Sequence, residues 1–230
     1  MKKSAAIFDL IILAFVFWGA YYGVRFFSVS DYVVAPMLGP VVIGVSFLGV
    51  WLLLNRRGQT LKDIGLFKLK SWRKTFEKAG VAALVIFGAT MVGFGIFSTL
   101  FGAPAAGTAI EEQTEDFLYF LFDIVVITWI FIAVGEEVFF RGFLLNRLQI
   151  IFAGFPMAPI LAAFAQAIWF GSAHGSQGLT GVLITGLIGF SLALYFVYQK
   201  QPASLVPLII AHAFVDTVVL SANYFSNAMG

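Results

Sequence analysis

Two adjacent glutamates in an otherwise apolar stretch are the first residues whose chemistry calls for an explanation. Glu136 and Glu137 open the sequence EEVFFR, which ends at Arg141. On a helix, residues four apart lie on one face, so Glu137 is predicted to form an ion pair with Arg141. Glu136 points about a quarter-turn away and lacks that partner, which favours it as a group that accepts a proton. The alternative is a buried structural network of all three side chains.

The only two histidines of the chain lie in two later apolar stretches. His174 follows Phe170 by four residues, and His212 precedes Asp216 by four. Each pair is therefore predicted to share one face of a helix. A single histidine in a membrane often makes only an interhelical hydrogen bond. Two of them on separate helices, with carboxylates elsewhere, favour a site in which Asp216 orients His212 or itself receives a hydrogen bond.

These side chains have the chemistry needed to hydrolyse an ester or amide. A glutamate and a histidine can deprotonate water near neutral pH, and apolar surroundings strengthen the stabilisation of a developing oxyanion. The set Glu136, His174 and His212 is alternatively a zinc site of two histidines and one carboxylate. No HExxH pattern is present, so a metal-free site without a cofactor is favoured and zinc remains the alternative. Ser172 and Ser176 lie beside His174 but in no recognised nucleophile setting.

The amino-acid composition indicates whether these residues lie in a membrane or in a water-soluble protein. Of 230 residues, 60% are apolar and 11% charged, whereas soluble proteins have about 25% charged residues. Cysteine is absent, which excludes disulfides, thiolate zinc sites and cysteine nucleophiles, and a net charge of +2 gives no support for nucleic-acid binding. We therefore predict an all-α, polytopic integral membrane helical bundle of seven to eight transmembrane helices.

Seven hydrophobic spans account for most of this bundle, and the long ones meet the requirement of about 20 residues for crossing a bilayer. They run approximately over Phe8–Phe27, Val34–Leu54, Ala79–Phe101, a segment from Phe117 onward, Ala158–Phe170, Gly178–Tyr198 and Ser204–Tyr224. The first span is predicted to be an uncleaved helix rather than a signal peptide. Seven to eight spans are therefore predicted, and the segments with room for the eighth are Ser28–Gly39 and Phe97–Thr108.

The charged residues of the loops predict how the chain is oriented across the membrane. Eight basic residues lie between Asn55 and Lys78 against two acidic ones, whereas the segment Gly102–Asp116 has four acidic residues and no basic one. The positive-inside rule then places the N-terminus in the cytoplasm. The basic loop is interpreted as a topology signal, with attraction to anionic lipid as the alternative. Asp9 and Arg25 are predicted to snorkel from the ends of the first span, and Asp123 is predicted to be interfacial.

Chain geometry predicts which of the polar residues meet. The turn Gly154-Phe155-Pro156 lies between two apolar stretches, with Glu136 19 residues before Phe155 and His174 19 residues after it. With about 1.5 Å of rise per residue, both residues reach the same depth. His212 lies about ten residues into the last span, roughly 15 Å, so its depth matches only if helices tilt or end unevenly.

Three motifs in order resemble those of a known family. EExxxR at Glu136, FxxxH at Phe170 and HxxxD at His212 are similar to the motifs of the CPBP family (CAAX protease and bacteriocin-processing), which includes the type II CAAX prenyl endopeptidases and Abi-type proteins. The sequences FRGFL, from Phe140, and DIGL, from Asp63, also resemble that family. The resemblance covers about residues 79–224, so we predict one membrane-embedded domain over residues 1–230 with this protease-like core.

The resemblance implies a polytopic helical fold with its catalytic site inside the membrane, and peptide-bond hydrolysis, with prenylated CAAX peptides cut by eukaryotic members. It implies that Glu136 and His174 activate water, and that His212 and the residue four later stabilise the oxyanion. Glu137, Arg141 and Phe170 are implied as supporting residues. Prenyl endopeptidases typically have Asn where this chain has Asp216, and an ionised Asp cannot donate to an oxyanion. Either Asp216 is protonated, or it orients His212, or the activity of this protein differs.

The predicted partners are membrane lipids and a membrane-associated peptide or protein substrate, with or without a prenyl group, in a prokaryotic plasma membrane. Two other functions remain as alternatives. One is a non-catalytic membrane binder or bacteriocin-immunity scaffold, as among Abi-type relatives, and the intact motif residues argue against it. The other is a transporter with intramembrane ionisable groups. The polar groups gather in one half of the chain without visible inverted repeats, which argues against transport.

Overall fold

Helices make up nearly all of the regular structure. The computed structural model describes residues 1–27, 38–67, 69–105, 117–199 and 203–229, which contain no β-strand. The α-helices are α1 (Lys3–Phe27), α2 (Leu38–Arg56), α3 (Trp72–Phe101), α4 (Phe117–Phe122), α5 (Leu145–Phe152), α6 (Ala158–Ala173), α7 (Gly178–Val197) and α8 (Val206–Met229). The predicted all-helical membrane bundle is confirmed.

Six helical segments among the described residues are long and apolar enough to cross a membrane, and α6, with 16 residues, is a shorter apolar helix. The described residues contain no separate eighth span. Helix α3 continues to Phe101, so the start of the segment Phe97–Thr108 belongs to that helix. Residues 28–37 and 106–108 lie outside the described residues.

One end of the bundle collects the start of α1, the basic loop after α2, and the turns after α5 and α7. The Lys3 Nζ donates to the Ala153 carbonyl at 2.6 Å, and the Leu205 N–H donates to the Gly65 carbonyl at 2.9 Å. We call this end the basic end. At the opposite end, the Thr180 hydroxyl donates to the carbonyl of Gly102.

The segment Phe117–Phe152 is one continuous helical rod in which most of the backbone has π-helical geometry. Two π-helical stretches, Asp123–Val134 and Glu137–Leu144, lie between α4 and α5. π-Helix is rare, is mostly found as single turns, and often occurs at functional sites. Glu136 lies at the junction of the two stretches. The apolar pattern of this segment predicted a helix but carried no sign of the wider winding.

A short turn in the basic loop packs against this rod. Its 3-10 helix, Leu61–Ile64, is closed by Thr60, whose N–H and hydroxyl donate to the Asp63 carboxylate at 2.7 and 2.9 Å. These hydrogen bonds hold the pKa of the Asp63 carboxyl below its usual range. Gly65 then turns the chain with φ of +100°, a left-handed conformation that favours glycine. We call Thr60–Leu66 the docked turn.

The docked turn reaches the rod at a glycine. A Cβ on Gly142 would lie 3.2 Å from the Ile64 carbonyl oxygen and 3.0 Å from the Leu205 Cδ1. Ile64 is accordingly buried. The rod, the docked turn and the segment before α8 therefore meet in direct contact one residue after Arg141.

The prediction that Asp9 snorkels is wrong. Asp9 is fully buried, and its carboxylate accepts from Arg57 at 2.7 Å and from Arg147 at 3.1 Å. Arg147 is itself fully buried. A carboxylate flanked by two guanidinium groups is satisfied inside the bundle, so it has no need to reach the interface. Arg25 is exposed, as expected of a residue near the end of the first span.

Candidate active site

Glu137 is the residue through which the candidate site is held together. Its Oε1 accepts from the Arg141 Nη1 at 3.1 Å and from the His212 Nδ1 at 2.9 Å. The predicted pair of Glu137 and Arg141 is therefore present, and both side chains are fully buried. The histidine contact, which joins residues 75 positions apart, fastens the rod to α8.

His212 presents its other ring nitrogen to the two remaining carboxylates. Its Nε2 lies 3.4 Å from the Asp216 Oδ2 and 3.9 Å from the Glu136 Oε2. A carboxylate oxygen accepts hydrogen bonds, so the contact with Glu137 places a proton on Nδ1. Glu137 therefore orients the ring through Nδ1, while Asp216 contacts the nitrogen that faces Glu136.

The depth of His212 is explained by where α8 begins. The residues before this helix, Ala203, Ser204 and Leu205, are buried, with 7%, 8% and 0% exposure. Because the Leu205 N–H donates to Gly65 of the docked turn, α8 begins inside the bundle rather than at its surface. Uneven helix ends, one of the two possibilities that the sequence left open, thus bring His212 to the level of Glu137.

His174 caps the end of α6. Its Nδ1 lies 2.9 Å from the Phe170 carbonyl oxygen, which can only accept, so Nδ1 carries a proton and Nε2 is the ring nitrogen not engaged in this contact. His174 packs against Phe170, whose ring lies under Arg141, and His212 contacts both Glu136 and Glu137. The structure thus brings the three predicted motifs to one place.

Phe170 supports two members of the site at once. The Arg141 guanidinium lies over the Phe170 ring, 4.4 Å from its centroid, and the ring centroid of His174 lies 4.9 Å away. The Phe140 ring meets Phe170 edge-on at 4.9 Å. An arginine held between a carboxylate and an aromatic face has little freedom to move.

Exposure divides the site into two layers. The side chains of Glu136, His212 and Asp216 are 11%, 13% and 36% exposed, whereas those of Glu137 and Arg141 are 0% exposed. Glu136 forms no hydrogen bond within the described part of the chain, so its carboxylate is free to receive a proton. An accessible layer that can react thus lies on a buried layer that holds it.

Two observations on the described residues bear on the alternative zinc set of Glu136, His174 and His212. No group of three or more His, Cys, Asp or Glu residues there is arranged so that it could hold a metal ion. Each of the two histidines engages Nδ1 elsewhere, with the Phe170 carbonyl or with Glu137, which leaves Nε2 as the nitrogen that would bind a metal. The mechanism described below uses no metal, and elemental analysis of the purified protein tests this choice.

Gln166 is a buried polar residue that sequence reasoning missed. It is fully buried on α6, and neither its Oε1 nor its Nε2 has a hydrogen-bond partner among the described residues. The sequence did indicate that Gln166 lies on the same helix face as the motif residues, because Gln166, Phe170 and His174 follow one another at intervals of four. The pair of Asp9 and Arg147, 138 positions apart, had no comparable local signal.

Comparison with known proteins adds one match. Residues 117–218 match the family model described as type II CAAX prenyl endopeptidase Rce1-like. The matched segment contains all three motifs and lies within the predicted core of residues 79–224. No curated protein and no solved structure matches the chain.

Proposed function

We propose that this chain, whose residues 117–218 match the Rce1-like CAAX prenyl endopeptidase model, hydrolyses a peptide bond of a membrane-associated substrate by carboxylate-activated water. The observation that carries this proposal is the placement of Glu136. Its carboxylate is free of hydrogen bonds within the described residues, and the His212 Nε2 lies 3.9 Å from it. A base and a hydrogen-bond donor thus face the same small space.

The first step is attack by water on the substrate carbonyl. Glu136 accepts one proton of the water, whose oxygen forms the new bond to the carbonyl carbon. The Nε2 lone pair of His174 accepts a hydrogen bond from the same water and aligns it. The carbonyl oxygen becomes an oxyanion, which His212 stabilises by donating from Nε2.

The second step breaks the peptide bond. Glu136 returns its proton to the leaving nitrogen, the carbon–nitrogen bond breaks, and the products are a carboxylic acid and an amine. Glu137 keeps His212 in place through Nδ1, and Arg141 balances the charge of Glu137. Both are positioning residues, because neither is exposed to a substrate.

Asp216 contacts the same nitrogen that donates to the oxyanion. Its Oδ2, 3.4 Å from the His212 Nε2, restrains that edge of the ring. With a side chain 36% exposed, Asp216 is the most accessible carboxylate of the site. A residue in that position contacts the substrate, so Asp216 is a determinant of which peptide is accepted.

The substrate is proposed from the surroundings of the site. The spans on which Glu136 and His212 lie are strongly apolar, which favours a peptide that is itself held in the membrane. A lipid-modified C-terminal peptide has that property, and so does a transmembrane segment. The charge distribution of the loops further favours an N-terminus and a basic end in the cytoplasm.

The test uses purified protein in lipid vesicles and fluorogenic peptides, one prenylated and one with the same sequence without the lipid. Glu136→Gln is expected to lower kcat by at least about a hundredfold, because the general base is lost. His174→Ala is expected to lower it comparably. Matched controls are Glu77→Gln, which makes the same change at an exposed surface pair, and Ser172→Ala. Both controls are expected to retain the activity of the unaltered protein.

Three outcomes would contradict the proposal. Full activity of folded Glu136→Gln would exclude Glu136 as the general base. Loss of activity in Ser172→Ala would indicate a serine nucleophile. Stoichiometric zinc by elemental analysis, with activity lost to a chelator and restored by zinc, would replace the metal-free mechanism. Cleavage of the prenylated peptide alone would identify the lipid as part of the recognised substrate.

A further inference from the structure

Several buried polar atoms near the site have no partner in the protein. The Arg141 Nε and Nη2, the Glu137 Oε2 and both amide atoms of Gln166 are buried and form no hydrogen bond among the described residues. The indole N–H of Trp169 shares this property. Buried polar groups in native proteins are nearly always paired, and where protein partners are lacking, ordered water supplies them.

These atoms lie on facing surfaces of two elements. The Arg141 guanidinium lies over Phe170, and Gln166 precedes Phe170 by one turn on the same face of α6. Helix α6 begins after the turn at the basic end, so Gln166 lies nearer that end than Phe170 does. The unpartnered atoms therefore extend from Glu137 and Arg141 in the direction of the basic end.

A cavity of about 160 Å³ opens at that end of the bundle. Its lining is mixed, with Lys62, Asp63, Asn146 and Gln149 as polar members beside apolar residues, and Arg141 is part of its wall. This volume has room for several water molecules, and the polar members supply donors and acceptors for them. The cavity thus ends against Arg141, a residue of the buried layer with 0% exposure.

We propose that water enters the protein through this cavity and continues past Arg141 to Gln166, so that the buried layer of the site is hydrated from the basic end. A substrate held in the lipid reaches the accessible layer from the side of Asp216, and hydrolytic water arrives from the opposite side of Glu137. This last step rests on the proposed function, whereas the water route itself does not. Gln166 is then a water-binding residue, and Gln149 lines the entrance.

The absence of cysteine from the chain gives a clean test of the route. Gln166→Cys and Ala163→Cys place single thiols on the same helix at two positions with 0% exposure, and Ala163 lies nearer the basic end. Silver ion, a small cation carried by water, is used as the probe, and the remaining free thiol is measured over time. Gln166→Cys is expected to react at least about tenfold faster than Ala163→Cys.

The entrance is tested in the same background. Gln149→Phe should slow the reaction of Gln166→Cys severalfold because the aromatic ring fills the cavity, whereas Gln149→Asn should leave it unchanged. Equal rates at positions 166 and 163, or an unchanged rate with Gln149→Phe, would overturn the proposal. Neither result depends on proteolysis, so failure of the route and failure of the proposed function are distinguishable.

A measurement that needs no cysteine covers the case in which Gln166→Cys does not fold. Hydroxyl radicals generated from bound water by X-rays oxidise the side chains beside that water. Phe170, with 4% exposure, borders the proposed route, and Phe17, with 2% exposure, is the reference ring. Oxidation of Phe170 relative to Phe17 is expected to fall in Gln149→Phe, because the new ring fills the entrance, and an unchanged ratio would contradict the proposal.

Discussion

At the scale of single residues, the two adjacent glutamates have different surroundings. Glu137 is fully buried, with an arginine and a histidine on one oxygen, whereas Glu136 is partly accessible and forms no hydrogen bond in the described part of the chain. Neighbours in sequence point in different directions on a helix, so one can hold the site while the other faces the reacting space. This division predicts opposite effects for the same substitution at the two positions.

Glu137→Gln is expected to destabilise the protein by about 3–5 kcal/mol, because it leaves the buried Arg141 without its counter-charge. The thermal midpoint in detergent should fall clearly. Glu136→Gln, the matched control one residue earlier, should change stability by less than about 1 kcal/mol while removing activity. Equal melting temperatures for the two variants would contradict the assignment of a supporting role to Glu137.

At the scale of elements, the docked turn determines where α8 begins. The turn is closed by Asp63, fixed by the left-handed Gly65 and packed against Gly142, and its Gly65 carbonyl accepts from the Leu205 N–H. His212 would lie at a different depth if α8 began elsewhere. The basic loop, interpreted from sequence as a topology signal, therefore also contributes to the geometry of the site.

Asp63→Asn is expected to lower the thermal midpoint near neutral pH, because the amide is a weaker acceptor for the Thr60 N–H and hydroxyl. The pKa of the Asp63 carboxyl is lowered in the folded protein, so its stabilisation is present above about pH 4, the ordinary pKa of Asp, and is lost as the pH falls through the folded value. The difference from the unaltered protein should therefore shrink at about pH 3. A difference of equal size at both pH values, measured by scanning calorimetry, would contradict this role.

At the scale of the whole molecule, a buried charge network joins the first helix to the half of the chain that carries the motifs. Asp9 of α1 accepts from Arg57, which follows α2, and from Arg147 of α5. Arg147 also donates to the Gln59 and Asn146 side chains, at 2.7 and 2.8 Å. The first two helices lie outside the residues 79–224 that the resemblance covers, and this network fastens them to the core beside the water-filled entrance proposed above.

Asp9→Asn is expected to destabilise the protein by about 3–5 kcal/mol, since Arg147 is fully buried and would lose its counter-ion. Glu77→Gln breaks the Arg73–Glu77 pair, whose side chains are 89% and 59% exposed, and is expected to cost less than about 1 kcal/mol. Thermal unfolding in detergent measures both. Comparable shifts for the two variants would indicate that Asp9 contributes no more than a surface pair.

The sequence alone determined the features that depend on local spacing. Helical periodicity placed Glu137 against Arg141 and His212 against Asp216, and the lengths of the apolar stretches predicted the membrane bundle. Both of these i,i+4 contacts are confirmed, because residues four apart on one helix share a face. Equal distances from the turn at Phe155 predicted one depth for Glu136 and His174, and this stays a prediction.

The tertiary structure decided the contacts between residues far apart in the chain. Asp9 is buried rather than at an interface because two arginines, 48 and 138 positions away, surround it. His212 is oriented by Glu137, 75 positions away, because the docked turn makes α8 begin inside the bundle. Such contacts depend on where helices start and on which faces pack together, and a local pattern of residues carries no information about either.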